Sequence, residues 1–147
     1  MLLNFRKFLL VCAVVLISVP SLAFGPKAKA KPVELLVFKT PTCGCCKKWV
    51  SHLEQQGIIA RTQDYSSLSS IKNQIGIRPN FRSCHTAITE NGFAFEGHVP
   101  AKFIEKFLSE EHTNAIGLSV PAMPVGSPGM EVGERFMPYQ ILMLHKD

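Results

Sequence analysis

Three cysteines within four residues, Cys43-Gly44-Cys45-Cys46, sit between a continuous apolar run, Leu35-Leu36-Val37-Phe38, and a helical stripe. An apolar run without alternation suits a central parallel strand covered on both faces. Cys46, Trp49, Val50 and Leu53 recur at the spacing of an amphipathic helix. Thr42 stands where its N-cap is expected, and Gly57 stops it. The cysteines therefore crowd a strand-to-helix junction. Free backbone N–H groups and the positive end of the helix dipole favour thiolates there. Cys46 belongs to the inward stripe and Cys43 to the more exposed cap. At about 100° per residue, Cys45 is expected to point away from both.

The remaining pattern builds an α/β domain around this junction. Residues 58–64 read as a second strand. Ser66 is placed to cap a short helix with Leu68, Ile71 and Ile75 inward, ended by Gly76. Residues 77–84 form a loop. Residues 85–90 and 93–99 flank Asn91-Gly92, a strong hairpin signal. Pro100 opens a third helix with Phe103, Ile104, Phe107 and Leu108 inward. A Gly/Pro/Met-rich connection over 117–138 leads to a last short strand over 139–144. The order β-α-β-α-β-β-α, with cysteines at the first strand-to-helix junction, is the thioredoxin-like layout: a mixed central sheet flanked by helices.

The N-terminus carries an export signature. Arg6 and Lys7 precede Phe8 to Val19, a charge-free run of twelve residues, and Ser21-Leu22-Ala23 offers small residues for cleavage. Such a run is too short for the roughly 30 Å of a bilayer core. Residues 1–23 are expected to be a cleaved signal peptide, leaving no membrane attachment. Residues 24–33 form a flexible lead-in and 34–147 the domain. Without the signal, 14 basic residues face 11 acidic ones, and the net charge falls from +5 to +3. No basic stripe is interleaved with aromatics, which argues against nucleic acid as a partner.

Four cysteines remain after cleavage: Cys43, Cys45, Cys46 and Cys84. Exported chains commonly spend cysteines on disulfides between distant segments, whereas three of these lie together. Cys84 enters the first hairpin strand, where thioredoxin-like proteins normally carry a cis-proline beside the C-x-x-C pair. Here the nearest proline is Pro79, and Ser83-Cys84-His85 takes the position. A thiol at that place turns an exchange site into a four-thiolate pocket; the alternative is a buried, inert Cys84. Soft thiolates suit Cu(I), zinc or iron–sulfur clusters. Zinc wants four tetrahedral ligands, which adjacent, diverging Cys45 and Cys46 would supply poorly. Iron–sulfur clusters conflict with export of an unfolded chain. Cu(I) accepts two or three thiolates and shares sulfurs between ions, so more than one copper per chain is expected. His85, His98, Met123 and Met130 are candidate additional ligands, His98 lying across the hairpin from His85. Met137 is a weaker candidate. His52, His112 and His145 are read as ordinary polar residues and Met143 as core.

Four segments together carry a resemblance: Pro41-Thr42-Cys43-Gly44-Cys45-Cys46-Lys47-Lys48-Trp49; Arg82-Ser83-Cys84-His85-Thr86-Ala87; Glu96-Gly97-His98-Val99-Pro100; and Pro121-Ala122-Met123-Pro124 with Gly126-Ser127-Pro128-Gly129-Met130-Glu131. They resemble the CopG-type copper-resistance proteins over nearly all of residues 34–146. The resemblance implies a thioredoxin-like fold, a periplasmic location, a part in copper handling, and ligand roles for Cys43, Cys45, Cys46 and Cys84. Other periplasmic copper-handling or redox proteins would be its partners. Two functions stay open at this point. One is copper binding, with or without copper redox chemistry. The other is thiol–disulfide oxidoreduction through Cys43 and Cys46.

Overall fold

The computed structural model describes residues 31–146; the expected signal segment, 1–23, and residues 24–30 of the lead-in lie outside the described residues. Strand β1 (Glu34–Lys39) leads into helix α1 (Gly44–Gln55), which returns the chain to β2 (Ile59–Asp64), parallel to β1. Helix α2 (Ser69–Ile75) and a 3-10 turn at Pro79–Phe81 precede the hairpin of β3 (Thr86–Ile88) and β4 (Ala94–Gly97). Helix α3 (Ala101–Leu108) carries the chain to β5 (Ala115–Val120), parallel to β4, and β6 (Leu142–His145) closes the edge antiparallel to β5. The six strands form one mixed sheet in the order β2-β1-β3-β4-β5-β6. The α/β class with a mixed central sheet is as expected, and β2-β1-β3-β4 with its three helices is compatible with the thioredoxin-like layout.

Both faces of the sheet are covered. Leu35, Val37, Ala87 and Phe95 bury one face against Trp49, Val50 and Leu53 of α1 and Ile104 and Phe107 of α3. The opposite face carries Ala94, Ile88 and Leu144, packed against Ile75 and Ile77 at the end of α2. This two-sided covering is the reason β1 reads as an unbroken apolar run.

Several expectations need correction. The chain over 115–120 is a strand, not the start of the connecting loop. Gly117 sits at its bulge, where a Cβ would clash with the Ala94 carbonyl oxygen, so only glycine lets β4 and β5 pair there. The cap of α1 is Cys43 itself rather than Thr42: its sulfur accepts from the Cys46 backbone N–H at 3.3 Å. Helix α2 starts beyond Ser66, with no side-chain cap, and its most buried residue is Lys72, while Ile71 and Ile75 are half-buried. Met143 is 44 % exposed rather than core, because β6 is an edge strand whose inward residue is Leu144. The last strand begins at Leu142, later than expected.

Candidate metal centre

The topology brings the chemistry to one end of the sheet. Phe38 near the end of β1 faces Thr86 at the start of β3, and Thr86 faces Glu96 near the end of β4. The segments just beyond these residues therefore meet: Cys43–Cys46 after β1, Cys84-His85 before β3, and His98 after β4. Gly97 pairs with Val120, so the loop beginning at Pro121 leaves β5 from the same end.

The four cysteine sulfurs converge there, all within 4.8 Å of one another. Cys43 and Cys46 are joined as a disulfide, and Cys45 and Cys84 are free. Cys45 does not point away, as helical spacing suggested: its sulfur lies 3.5 Å from that of Cys43 and 3.9 Å from that of Cys84. Cys43 is extended at the cap, so the 100° step does not relate it to Cys45. Side chains in the first turn also tilt toward the helix N-terminus, where Cys84 arrives. The Cys84 sulfur lies 3.6 Å from that of Cys46, which is fully buried.

Cys84 also belongs to a second donor group, with His85 and His98. Its sulfur is 3.2 Å from Nδ1 of His85 and 3.2 Å from Nε2 of His98. The two rings meet edge to face at 4.9 Å, as the hairpin pairing implied. The Pro128 carbonyl can only accept, so Nδ1 of His98, 2.8 Å away, carries the proton and donates. That fixes the tautomer and leaves the Nε2 lone pair facing Cys84. His85 is fully buried, its ring 4.3 Å from that of Trp49, and its Nε2 has no hydrogen-bond partner among the described residues.

Charge is held down at Cys84, His85 and His98. Burial, reinforced by neighbouring Cys45, pushes the Cys84 thiol up to about 12. Burial holds His85 well below the usual imidazole range, helped by His98 and Lys72, and burial also lowers His98. A cation entering the pocket would displace a proton from Cys84 and find both imidazoles already neutral.

The loop after β5 lies against this cluster. A Cβ on Gly129 would come within 2.7 Å of the Cys45 carbonyl oxygen and 2.8 Å of the Trp49 nitrogen. Its thioether residues differ in exposure: Met130 is half-buried, while Met123 is 49 % and Met137 55 % exposed. The remaining histidines are engaged elsewhere or exposed: Nε2 of His52 accepts from the Ala101 N–H at the start of α3, His112 stacks on Phe107, and His145 is exposed.

Two residues beside the site escaped the sequence reading. Lys72 and Glu96 form a buried ion pair, and both bond to Ser83, the neighbour of Cys84. The available signal was a lysine within the apolar stripe of α2 and a glutamate within a short strand.

Comparison with known proteins agrees with this arrangement. A family model described as a protein of unknown function, DUF411, matches residues 81–130, the stretch from the Cys84 segment to Met130. No curated protein matches the chain. Among solved structures, a copper resistance protein CopG in its form 2 is 40% identical, with a TM-score of 0.74, covering 79% of this chain and 91% of its own. Form 1 is 39% identical, with a TM-score of 0.73, covering 78% and 90%. With that identity over most of both chains, and a cysteine cluster able to hold a metal at the end of its sheet, the protein belongs to the CopG copper resistance family.

Proposed function

We propose that this is an exported periplasmic protein that binds Cu(I), more than one ion per chain, through Cys43, Cys45, Cys46 and Cys84, and thereby contributes to copper resistance. In this reading residues 1–23 are removed on export, 24–33 form a lead-in, and 34–147 are the working domain. His85 and His98 extend the ligand set, and Met123 and Met130 offer thioethers from the loop after β5. The observation that carries the reading is the sharing of Cys84 by two donor groups, each with its ligand atoms within 4.8 Å of one another. One sulfur common to both groups suits ions bridged by thiolate, and the soft donors suit Cu(I). His85 offers its Nδ1, 3.2 Å from the Cys84 sulfur, while its buried Nε2 has no hydrogen-bond partner among the described residues. Copper is the cargo, received from or passed to other periplasmic copper-handling or redox proteins.

Anaerobic titration of the reduced protein against a competing Cu(I) chelator tests this. Saturation above one equivalent is expected, with zinc bound far more weakly. Saturation at one equivalent or less overturns the multinuclear reading, and equal affinity for zinc overturns the copper assignment. Closing the Cys43–Cys46 disulfide withdraws two donors, so the oxidised protein is expected to bind Cu(I) much more weakly.

That disulfide also favours a second reading, a thiol–disulfide oxidoreductase with or without copper redox chemistry. Cys43 would attack and Cys46 resolve. Cys45→Ser separates the two: copper binding needs Cys45, whereas exchange by the C-x-x-C pair does not.

A further inference from the structure

The segment that delivers Cys84 is held by a buried ion pair. Glu96 on β4 is fully buried and Lys72 on α2 is 4 % exposed. Both act on the backbone of Ser83. Oε1 of Glu96 accepts the Ser83 N–H at 2.6 Å as well as the Lys72 ammonium, and Lys72 Nζ donates in turn to the Ser83 carbonyl oxygen at 3.1 Å. Oε2 of Glu96 accepts from the Thr86 hydroxyl at 2.5 Å. One pair of charges therefore binds both backbone poles of the residue before Cys84 and a side chain two residues after it.

Burying two charges is unfavourable, and apolar residues of similar volume commonly serve stability as well or better. An apolar pair, however, would leave the Ser83 N–H and carbonyl without these partners in a half-buried setting. Charge-assisted hydrogen bonds are also stronger and more directional than neutral ones. Close packing completes the anchorage: a Cβ on Gly97, at φ +72°, would lie 2.6 Å from Ser83 Cβ, so the absence of a side chain at 97 is what lets Ser83 sit there. The Ser83 hydroxyl donates to the Ala122 carbonyl, tying the same residue to the loop after β5.

We infer that Lys72 and Glu96 are positioning residues for the Cys84 sulfur: they fix Ser83 so that Cys84 stands within reach of Cys45, Cys46, His85 and His98 together. The copper arm of the test rests on the proposed function; the thiol arm does not. In Lys72→Met/Glu96→Gln no uncompensated charge remains, the amide oxygen still accepts from Ser83, and the donor to the Ser83 carbonyl is gone. At a temperature well below both melting transitions, its Cu(I) affinity is expected to fall about tenfold or more, the range typical of lost outer-shell support.

The thiol arm uses metal-free protein with Cys43→Ser and Cys46→Ser added, equilibrated with glutathione and glutathione disulfide. Cys45 and Cys84, 3.9 Å apart, lose two protons and two electrons and form one disulfide as one glutathione disulfide becomes two glutathiones. The equilibrium constant for that disulfide is expected to drop about tenfold in the Lys72/Glu96 variant, by analogy with lost outer-shell support. If the pair is merely structural, the melting temperature falls while folded molecules keep both the affinity and the disulfide constant, and the inference is overturned. If the wild type binds no Cu(I), the proposed function fails and the disulfide constant alone decides this inference. Should the double variant not fold, Glu96→Asp, one methylene shorter with its charge intact, carries the same expectation and the same refutation.

Discussion

Replacing Cys84 by serine removes the one sulfur common to both donor groups. Cys84 lies 3.6 Å from the Cys46 sulfur, 3.9 Å from the Cys45 sulfur, and 3.2 Å from a ring nitrogen of each of His85 and His98. A serine hydroxyl is too hard to replace it toward Cu(I). Losing outer-shell support alone typically costs 10–100-fold in metal affinity. A lost ligand should cost at least the upper end, about 100-fold or roughly 2.7 kcal/mol. Cys45→Ser should cost less, since Cys45 belongs to the four-sulfur group only. Stoichiometry should fall further for Cys84→Ser, because the second group is left with two imidazoles and no bridging thiolate. Serine is nearly isosteric and Cys84 is half-buried, so the melting temperature should stay close to wild type. Anaerobic competition against a chromophoric Cu(I) chelator, beside a thermal melt, measures both quantities. If Cys84→Ser binds as many ions as tightly as wild type, or is milder than Cys45→Ser, the shared-sulfur reasoning is wrong.

Gly129→Ala would drive a Cβ to within 2.7 Å of the Cys45 carbonyl oxygen at φ +85°; overpacking and left-handed strain together should cost about 2–4 kcal/mol, read as a lowered denaturation midpoint, and an unchanged midpoint would refute the close contact. Acid should destabilise the metal-free protein, because burial lowers the imidazole pKa of His85 and His98 in the folded state. Unfolded imidazoles take up protons near pH 6.5 while the folded ones do not, so this stability is fully present above about pH 6.5 and is lost as pH falls, at up to about 1.4 kcal/mol per pH unit per histidine. His85→Phe should flatten the fall in melting temperature between pH 7.5 and 5 relative to wild type, in proportions that follow the same slope; an unaltered slope would mean His85 is not the buried neutral group described.

The parts of the fold that were legible are those where one local period decides the matter. The Cys46, Trp49, Val50, Leu53 stripe gave α1, Asn91-Gly92 gave the hairpin, and Phe103 to Leu108 gave α3. Strand β5 was missed because Gly117 and Ser119 thin its apolar content. Its real signal was the alternation of Leu118 and Val120 about Ser119, Ile116 falling on the opposite face across the bulge, and its glycine is explained only by the approach of Ala94 from another strand. Met143 was misread for a related reason: which strand lies at the sheet edge is a property of topology, and an edge strand can expose a residue that a central strand would bury.

At the site, composition and spacing revealed the donors but not their directions. Helical periodicity sends Cys45 away from Cys43 only if both are helical, and Cys43 is not. The geometry that gathers four sulfurs depends on an extended cap, on Cys84 entering from β3, and on Ser83 being fixed before it. The last of these cannot be read from any one segment, because residues 72, 83 and 96 come from a helix, a loop and a strand. A lysine on a helix's inner stripe reads as an error until the glutamate opposite it is known. Once both are seen to hold the two peptide groups that flank the Ser83 Cα, the buried charges become intelligible: this ion pair stands where a backbone donor and acceptor must be satisfied together, one residue from the sulfur that both donor groups share.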